Sequence, residues 1–199
     1  GYVAGGGILY ATYMLGTVDE NDLCYLGGIP GSKLKDVFGI VAEEMDTLYP
    51  AERQHAAYRG RECELVDYCE TVIPKTAEAL AVYTDGYYQG TPAVTLNCYG
   101  KGKAVYQACR DTGDLAEGVI SDLLKAAGIH SLVAEEKLPH GVTAHSRTDG
   151  ENTYLFVENY SAQNPADIRL NGPMTDLLTG ETVTTCHLEP FGFGILKSQ

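Results

Sequence analysis

The sequence is short of positive charge and has no long apolar run. Its 199 residues include 14 Lys and Arg against 27 Asp and Glu, which gives a formal net charge of −13. Such an acidic surface repels a phosphate backbone, because nucleic-acid affinity depends on basic side chains that neutralise phosphates. No apolar stretch approaches the roughly 20 residues that a membrane-spanning helix needs. We therefore predict neither a nucleic-acid partner nor a membrane partner.

Motifs for metal and phosphate binding are also missing. The five histidines show no H-x-x-x-H or other paired spacing, so they do not form a metal-ligand pattern. Gly5, Gly6 and Gly7 precede a predicted strand, whereas a phosphate-binding loop follows a strand and opens a helix. The sequence thus predicts no metal and no cofactor.

No residue stands in a recognisable catalytic motif. Neither a Cys nor a Ser lies in the sharp G-x-S-x-G type of turn that exposes a nucleophile. Cys109 follows a predicted strand, and His130 or His140 could serve as its base, but a packed thiol is the favoured interpretation. The carboxylates of 19–22 and 43–46 are more typical of a solvated face or of ion pairs between subunits. We predict no catalytic residue in this chain.

Cysteines and aromatic residues point to ordinary packing. The six cysteines are scattered without a C-x-x-C pair, as is typical of reduced thiols in a cytoplasmic protein. There are 14 tyrosines and no tryptophan. Tyr87 and Tyr88 could stack on the face of a sugar, although core or interface packing is the favoured explanation.

The first part of the chain has the pattern of an α/β domain. Residues 1–7 resemble the end of a helix with its glycine cap, so we expect further elements upstream. Residues 8–14 form an apolar run typical of a strand inside a parallel sheet. Ser32 is the predicted N-cap of a short helix that Gly39 ends. Further strands are predicted at 80–83, 93–96 and 103–108.

One helix has a strong signal, and after it the pattern changes. Asp114 and Glu117 have the spacing of a capping box, and apolar residues then recur at helical spacing as far as Gly128. From Leu138 the chain instead alternates between apolar and polar residues, with turn signals such as Asn171-Gly172. We therefore predict a domain boundary between 137 and 138 and a small antiparallel β-sandwich or barrel in 138–199. Its predicted strands are 142–147, 154–159, 167–170, 174–178, 182–188 and 194–197.

Several segments together resemble one enzyme family. Thr-Val-Asp-Glu-Asn-Asp-Leu-Cys (17–24), Leu-Gly-Gly-Ile-Pro-Gly (26–31) and Gly-Ile-Val-Ala-Glu-Glu (39–44) resemble the middle domain of glycoside hydrolase family 42 β-galactosidases. The resemblance extends over nearly the whole chain. Its other segments are 90–95 and 99–106 for the middle domain, and 138–142, 154–161 and 177–181 for the last domain.

The resemblance implies a parent protein of three domains. An N-terminal (β/α)8 barrel carries two glutamates about 5 Å apart, which hydrolyse terminal β-D-galactose with retention. A middle α/β domain with a parallel sheet, similar to class I glutamine amidotransferases, supports trimerisation, and a small β domain follows. This chain would be an incomplete middle domain (1–137) and the C-terminal domain (138–199), so β-galactoside would bind only in the barrel of the parent. Glu43 and Glu44 are therefore not catalytic candidates.

The implied role leads to a candidate subunit interface. We place it on the loop that contains Asp19, Glu20 and Asp22, and on the following segment that begins with Pro30 and Gly31, because rigid loops allow close approach and carboxylates there can pair with a neighbour's basic residues. A solvated loop is the competing interpretation. A free-standing carbohydrate-binding or regulatory module without a barrel is the alternative function, and the sequence upstream of Gly1 would distinguish the two.

Overall fold

The computed structural model describes residues 1–134 and 138–198, and the chain divides into two compact units. The first unit is Gly1–Ala127, and the second begins at Gly128. Val133 already belongs to the second unit, because it bridges to Leu170 and lies in that unit's core. The predicted boundary between 137 and 138 adjoins residues 135–137, which lie outside the described residues, and it stays a prediction.

The first unit is built mainly from strands, with two helices. The strands are β1 (Ile8–Thr12), β2 (Ile40–Thr47), β3 (Gln54–Tyr58), β4 (Arg61–Pro74), β5 (Glu78–Tyr83), β6 (Pro92–Tyr99), β7 (Gly102–Gln107) and β8 (Cys109–Asp111). The helices are α1 (Leu34–Phe38) and α2 (Asp114–Ala126). None of the helices in 1–134 and 138–198 is long and apolar enough to cross a bilayer.

The sheet of the first unit is mixed, not parallel throughout. Its strand order is β1-β7-β6-β5-β3-β4-β2, and β8 pairs with β4. The predicted parallel arrangement is confirmed for β1 beside β7, whereas the other described pairs are antiparallel. The reason is the short connections, such as Arg59-Gly60 and Gly100-Lys101, because a tight hairpin can join only antiparallel neighbours.

The local signals at helix ends are partly confirmed. Gly6 and Gly7 donate to the carbonyls of Val3 and Tyr2 at 2.9 and 3.1 Å, which is the Schellman arrangement that ends helices. Gly39 caps α1 in the left-handed conformation, as predicted. Ser32 is not the N-cap, because α1 begins one residue later, after Lys33.

The cap of α2 also differs from its prediction. The N-cap position is Gly113, which has no side chain, so Asp114 is not the N-cap residue that the proposed capping box requires. Instead Asp111 Oδ2 accepts from the amides of Gly113, Leu115 and Ala116 at 2.8 to 3.0 Å. The side-chain cap thus comes from the end of β8, three residues earlier than expected.

The second unit is a single antiparallel sheet. Its strands are β9 (Val142–Thr148), β10 (Thr153–Asn159), β11 (Ala166–Asp176), β12 (Thr182–Leu188) and β13 (Phe193–Ser198), in the order β12-β11-β13-β10-β9. The predicted antiparallel β domain is confirmed, and no helix occurs in 138–198. The finer prediction was a sandwich or barrel, whereas the five described strands form one sheet with β12 and β9 at its edges. The strands predicted at 167–170 and 174–178 are one strand with an irregularity between Arg169 and Met174.

Each unit has its own hydrophobic core. In the first, Leu115 and Val119 of α2 pack with Leu65 and Tyr83 of the sheet, and all four are almost completely buried. In the second, Ile168, Leu188 and Leu196 lie at the centre.

Candidate subunit interface

A long loop, residues 14–31, leaves β1 and is fixed at both ends. At its start the Met14 amide donates to Glu70 Oε1 at 2.8 Å. At its end the Gly31 amide donates to the Gly16 carbonyl at 2.8 Å. Between these points Val18 and Cys24 form a bridge, so the loop is a short hairpin rather than an irregular excursion.

Glu70 is a fully buried carboxylate that holds the start of the 14–31 loop. In addition to the Met14 amide, it accepts from the hydroxyls of Tyr68 at 3.1 Å and Tyr106 at 2.5 Å. Burial, followed by the charge of Glu70, raises the pKa of Tyr106, so its hydroxyl stays a donor. No basic side chain pairs with Glu70 within the described residues. Hydrogen bonds alone therefore compensate for its desolvation.

The three predicted acidic residues at the tip of the loop differ in their hydrogen bonds. Asp19 Oδ1 accepts from the amides of Asn21 and Leu23 at 2.8 and 3.1 Å, so Asp19 shapes the turn itself. Glu20 and Asp22 are exposed, and their carboxylates have no hydrogen-bond or ion-pair partner among residues 1–134 and 138–198. They are the two carboxylates at the tip that remain available to another molecule.

Pro30 and Gly31 lie beneath the surface of the loop. Both residues are buried. A Cβ on Gly31 would lie 1.9 Å from Cδ2 of Tyr25, so only glycine allows this aromatic ring to pack there. Both residues are therefore placed to support the loop from inside.

Exposed apolar side chains cover the same loop. Met14, Val18, Leu23 and Leu26 are 54%, 41%, 63% and 100% exposed. Clustered exposed apolar residues usually mark an interaction site. Sequence reasoning selected the carboxylates and missed these neighbours, although two leucines between an acidic turn and paired glycines were a visible signal.

The alternative chemical sites do not form. Cys109 is completely buried, and burial raises the pKa of its thiol well above the usual value, as expected of a packed thiol rather than a nucleophile. Tyr88 is buried and donates to Asp46 Oδ2 at 3.3 Å, which leaves Tyr87 as the exposed ring of that pair. Glu43 and Glu44 are exposed on β2. Within 1–134 and 138–198, no group of three His, Cys, Asp or Glu could hold a metal ion.

Two family models match the chain and together cover most of it. Residues 1–130 match the model of the β-galactosidase trimerisation domain, and residues 141–198 match that of the β-galactosidase C-terminal domain. The chain belongs to glycoside hydrolase family 42. In this family the 14–31 loop lies in the trimerisation domain, and the single antiparallel sheet is the C-terminal domain.

Individual family 42 proteins are similar over nearly the whole chain. The β-galactosidase Pbg of Clostridium perfringens is 36% identical over 98% of this chain, and GanA of Bacillus subtilis is 35% identical over 92%. A crystal structure of β-galactosidase from Bacillus circulans sp. alkalophilus has a TM-score of 0.87 at 34% identity and covers 100% of the chain. The chain spans only 29% and 27% of those two relatives and 30% of the crystallised protein.

A charged cross-strand cluster lies on the C-terminal domain of this family 42 chain. His187 Nδ1 lies 2.7 Å from Asp167 Oδ1, and His187 Nε2 lies 3.4 Å from Glu189 Oε1. The hydrogen bond with Asp167, followed by that with Glu189, raises the pKa of His187 above 6.5. The stabilisation from this pair is complete below the unfolded pKa and is lost as the pH rises through the raised pKa.

We expect Asp167→Asn to lower the pKa of His187 toward its usual value, because the largest cause of the shift is removed. Titration of the imidazole by NMR measures the change directly. Glu151→Gln, an exposed change in the same domain, is the control and should leave His187 unaffected. An unchanged His187 pKa in Asp167→Asn would contradict the assignment.

Proposed function

We propose that this chain is the non-catalytic, assembling part of a β-galactosidase and forms a homotrimer through the 14–31 loop. The observation that carries the proposal is the match of residues 1–130 to a trimerisation domain, combined with the exposed apolar side chains on that loop. An exposed Leu23 and a fully exposed Leu26 become favourable only when another surface covers them.

The rest of the parent supplies the chemistry in this proposal. Since the chain spans less than a third of its relatives, a barrel outside it would bind the β-galactoside and hydrolyse terminal non-reducing β-D-galactose. The proposed domains are 1–137 for assembly and 138–199 for the C-terminal β domain. A cytoplasmic location is part of the proposal, and it is supported by six unpaired cysteines, four of them buried.

We also propose that the first unit is part of a sheet similar to that of class I glutamine amidotransferases. The support comes from β1, which is parallel to β7 and has no second partner in the described sheet. Four of its five residues are half-buried. Strands inside parallel sheets are normally covered on both faces and paired on both edges, so a further parallel strand would complete the arrangement.

The first test is the mass of the purified chain. Light scattering should give three times the 21.4 kDa of one chain. Leu23→Asp combined with Leu26→Asp should shift the mass toward the monomer, because charges replace the apolar contact. The matched control is Leu178→Asp, since Leu178 is similarly exposed (57%) in the other unit. A wild-type chain that stays monomeric at high concentration would overturn the proposal.

The second test is activity. We expect the chain to release no product from a chromogenic β-galactoside, since the proposed catalytic pair lies in the barrel. Turnover by the pure chain that a substitution within 1–199 abolishes would refute its non-catalytic role.

A further inference from the structure

A groove in the first unit carries positive charge, whereas the tip of the 14–31 loop carries negative charge. The groove encloses a cavity of about 470 Å³ between α1, the turn after β4 and the end of β6. Its wall carries Lys35 and Lys75 together with Val41 and Tyr99. Cationic groups therefore stand beside an apolar floor.

Neither lysine of the groove forms an ion pair with a carboxylate in the described structure. The Lys75 ammonium has no carboxylate partner in the part of the chain that the structure describes, and Lys35 Nζ donates to the Gly27 carbonyl. Asp36 also lines the groove, so one of the two positive charges remains in excess.

Three of the four arginines of the same unit contact a carboxylate. Arg53, Arg59 and Arg110 each contact a carboxylate, with distances of 3.3, 2.9 and 2.9 Å to Glu64, Asp122 and Asp67. Other lysines of this unit, such as Lys101 and Lys125, also lack a carboxylate partner in the described structure, and Lys75 differs from them because it lines a groove.

The tip of the 14–31 loop supplies the complementary groups. Glu20 and Asp22 have no partner in the described structure, and Leu23 and Leu26 are exposed beside them. The loop borders the groove of its own chain at Gly27, whose carbonyl accepts from Lys35, but neither Glu20 nor Asp22 contacts Lys35 or Lys75 there. A loop that combines free carboxylates with leucines fits a groove that combines lysines with an apolar floor.

We propose that the groove of one copy receives the 14–31 loop tip of the next copy, an inference that rests on the proposed function. Because the two surfaces differ, each copy donates one loop and accepts another. Such head-to-tail contacts generate a ring when the rotation closes, and a trimer is a ring of three. The neighbour's Glu20 and Asp22 then lie near Lys75, while Leu23 and Leu26 cover the apolar floor.

The chain carries natural probes for this contact. Cys24 in the loop and Cys98 in the groove are its two exposed cysteines, and the other four are buried. A short bismaleimide should therefore link Cys24 of one copy to Cys98 of the next, giving covalent dimers and trimers on a denaturing gel. Cys24→Ser and Cys98→Ser alone should each give monomers. When the two variants are co-expressed, they should give dimers but no trimers, because each intact pair occurs in one direction only.

A charge exchange tests the same contact without a cross-linker. Lys75→Glu should raise the dissociation constant of the trimer by roughly tenfold or more, because like charges then face each other. Adding Asp22→Lys should recover most of the loss. Lys125→Glu, an exposed change at the end of α2, should have little effect.

The results separate the inference from the proposed function. A wild-type trimer with cross-links that persist in either single cysteine variant, or with no cross-link at all, would overturn the groove assignment and leave trimerisation intact. A Lys75→Glu trimer as stable as the wild type would have the same meaning. A monomeric wild-type chain would remove the proposed function and, with it, this inference.

Discussion

Replacement of Glu70 by alanine should lower the free energy of unfolding of the first unit by about 3 kcal/mol. The substitution leaves three donors without their acceptor, namely the Met14 amide and the hydroxyls of Tyr68 and Tyr106. Relief of one buried charge offsets part of this loss. The orphaned donors outweigh it: the Tyr106 hydroxyl is fully buried and its unpaired donor costs roughly 1 to 3 kcal/mol, while the Met14 amide and the Tyr68 hydroxyl are part-buried and add a smaller loss.

Urea unfolding, followed by tyrosine fluorescence, measures the change. Glu44→Ala is the matched control, since Glu44 is exposed on the neighbouring strand β2, and it should alter stability by less than about 0.5 kcal/mol. Tyr106→Phe removes one donor and should have an intermediate effect. Equal stability of Glu70→Ala and the wild type would show that the buried network contributes nothing net.

Gly102→Ala should also lower the free energy of unfolding of the first unit by about 3 kcal/mol. A Cβ at this position would lie 2.1 Å from the Val3 carbonyl oxygen and 2.2 Å from that of Gly7. Both atoms belong to the backbone, so no change of rotamer relieves the clash. The turn before β1 would have to move away from β7, which disrupts the parallel pair.

A second glycine provides a control, because its replacement by alanine should increase the stability of the unit. Gly118 lies inside α2, and a Cβ there would be 3.4 Å from Tyr58 Cε1, an ordinary contact distance. Gly118→Ala should therefore stabilise the unit by up to about 1 kcal/mol through helix propensity. Thermal unfolding of both variants tests the pair. If Gly102→Ala melts at or above the wild-type temperature, the close approach of the two segments is contradicted.

The sequence was most informative where structure depends on local patterns. Helix α2 and the strands of the second unit have clear periodicity, and both were predicted close to their observed bounds. Residues 40–65 have a mixed pattern that was harder to interpret, because they contain β2, β3 and the start of β4, and β4 pairs with both of these strands and with β8 through irregular registers. The mostly antiparallel direction of the strands in the first unit was not predicted, since it depends on which strands become neighbours.

The candidate interface was only partly visible from the sequence. The acidic residues at 19–22 selected this loop as the predicted interface, but Asp19 shapes its own turn and Pro30 and Gly31 are buried. The role of Glu70 could not be predicted, because a single glutamate in a polar stretch of strand gives no sign of burial. The groove around Lys75 could not be predicted either, since α1, the start of β2, the turn after β4 and the end of β6 form it from separate parts of the chain.

The pairing of β1 with β7 also determines when the 14–31 loop can form. Ile8 pairs with Lys103 and Thr12 with Gln107, so β1 finds its partner only after nearly the whole first unit has been synthesised. Contacts this distant in sequence close late in folding, because the entropy of the intervening chain is lost before the contact is gained. The loop that follows β1 is therefore expected to be ordered among the last parts of the unit. Under the docking proposed for this loop, a nascent or damaged chain would expose no ordered docking element, so assembly would select molecules that have finished folding.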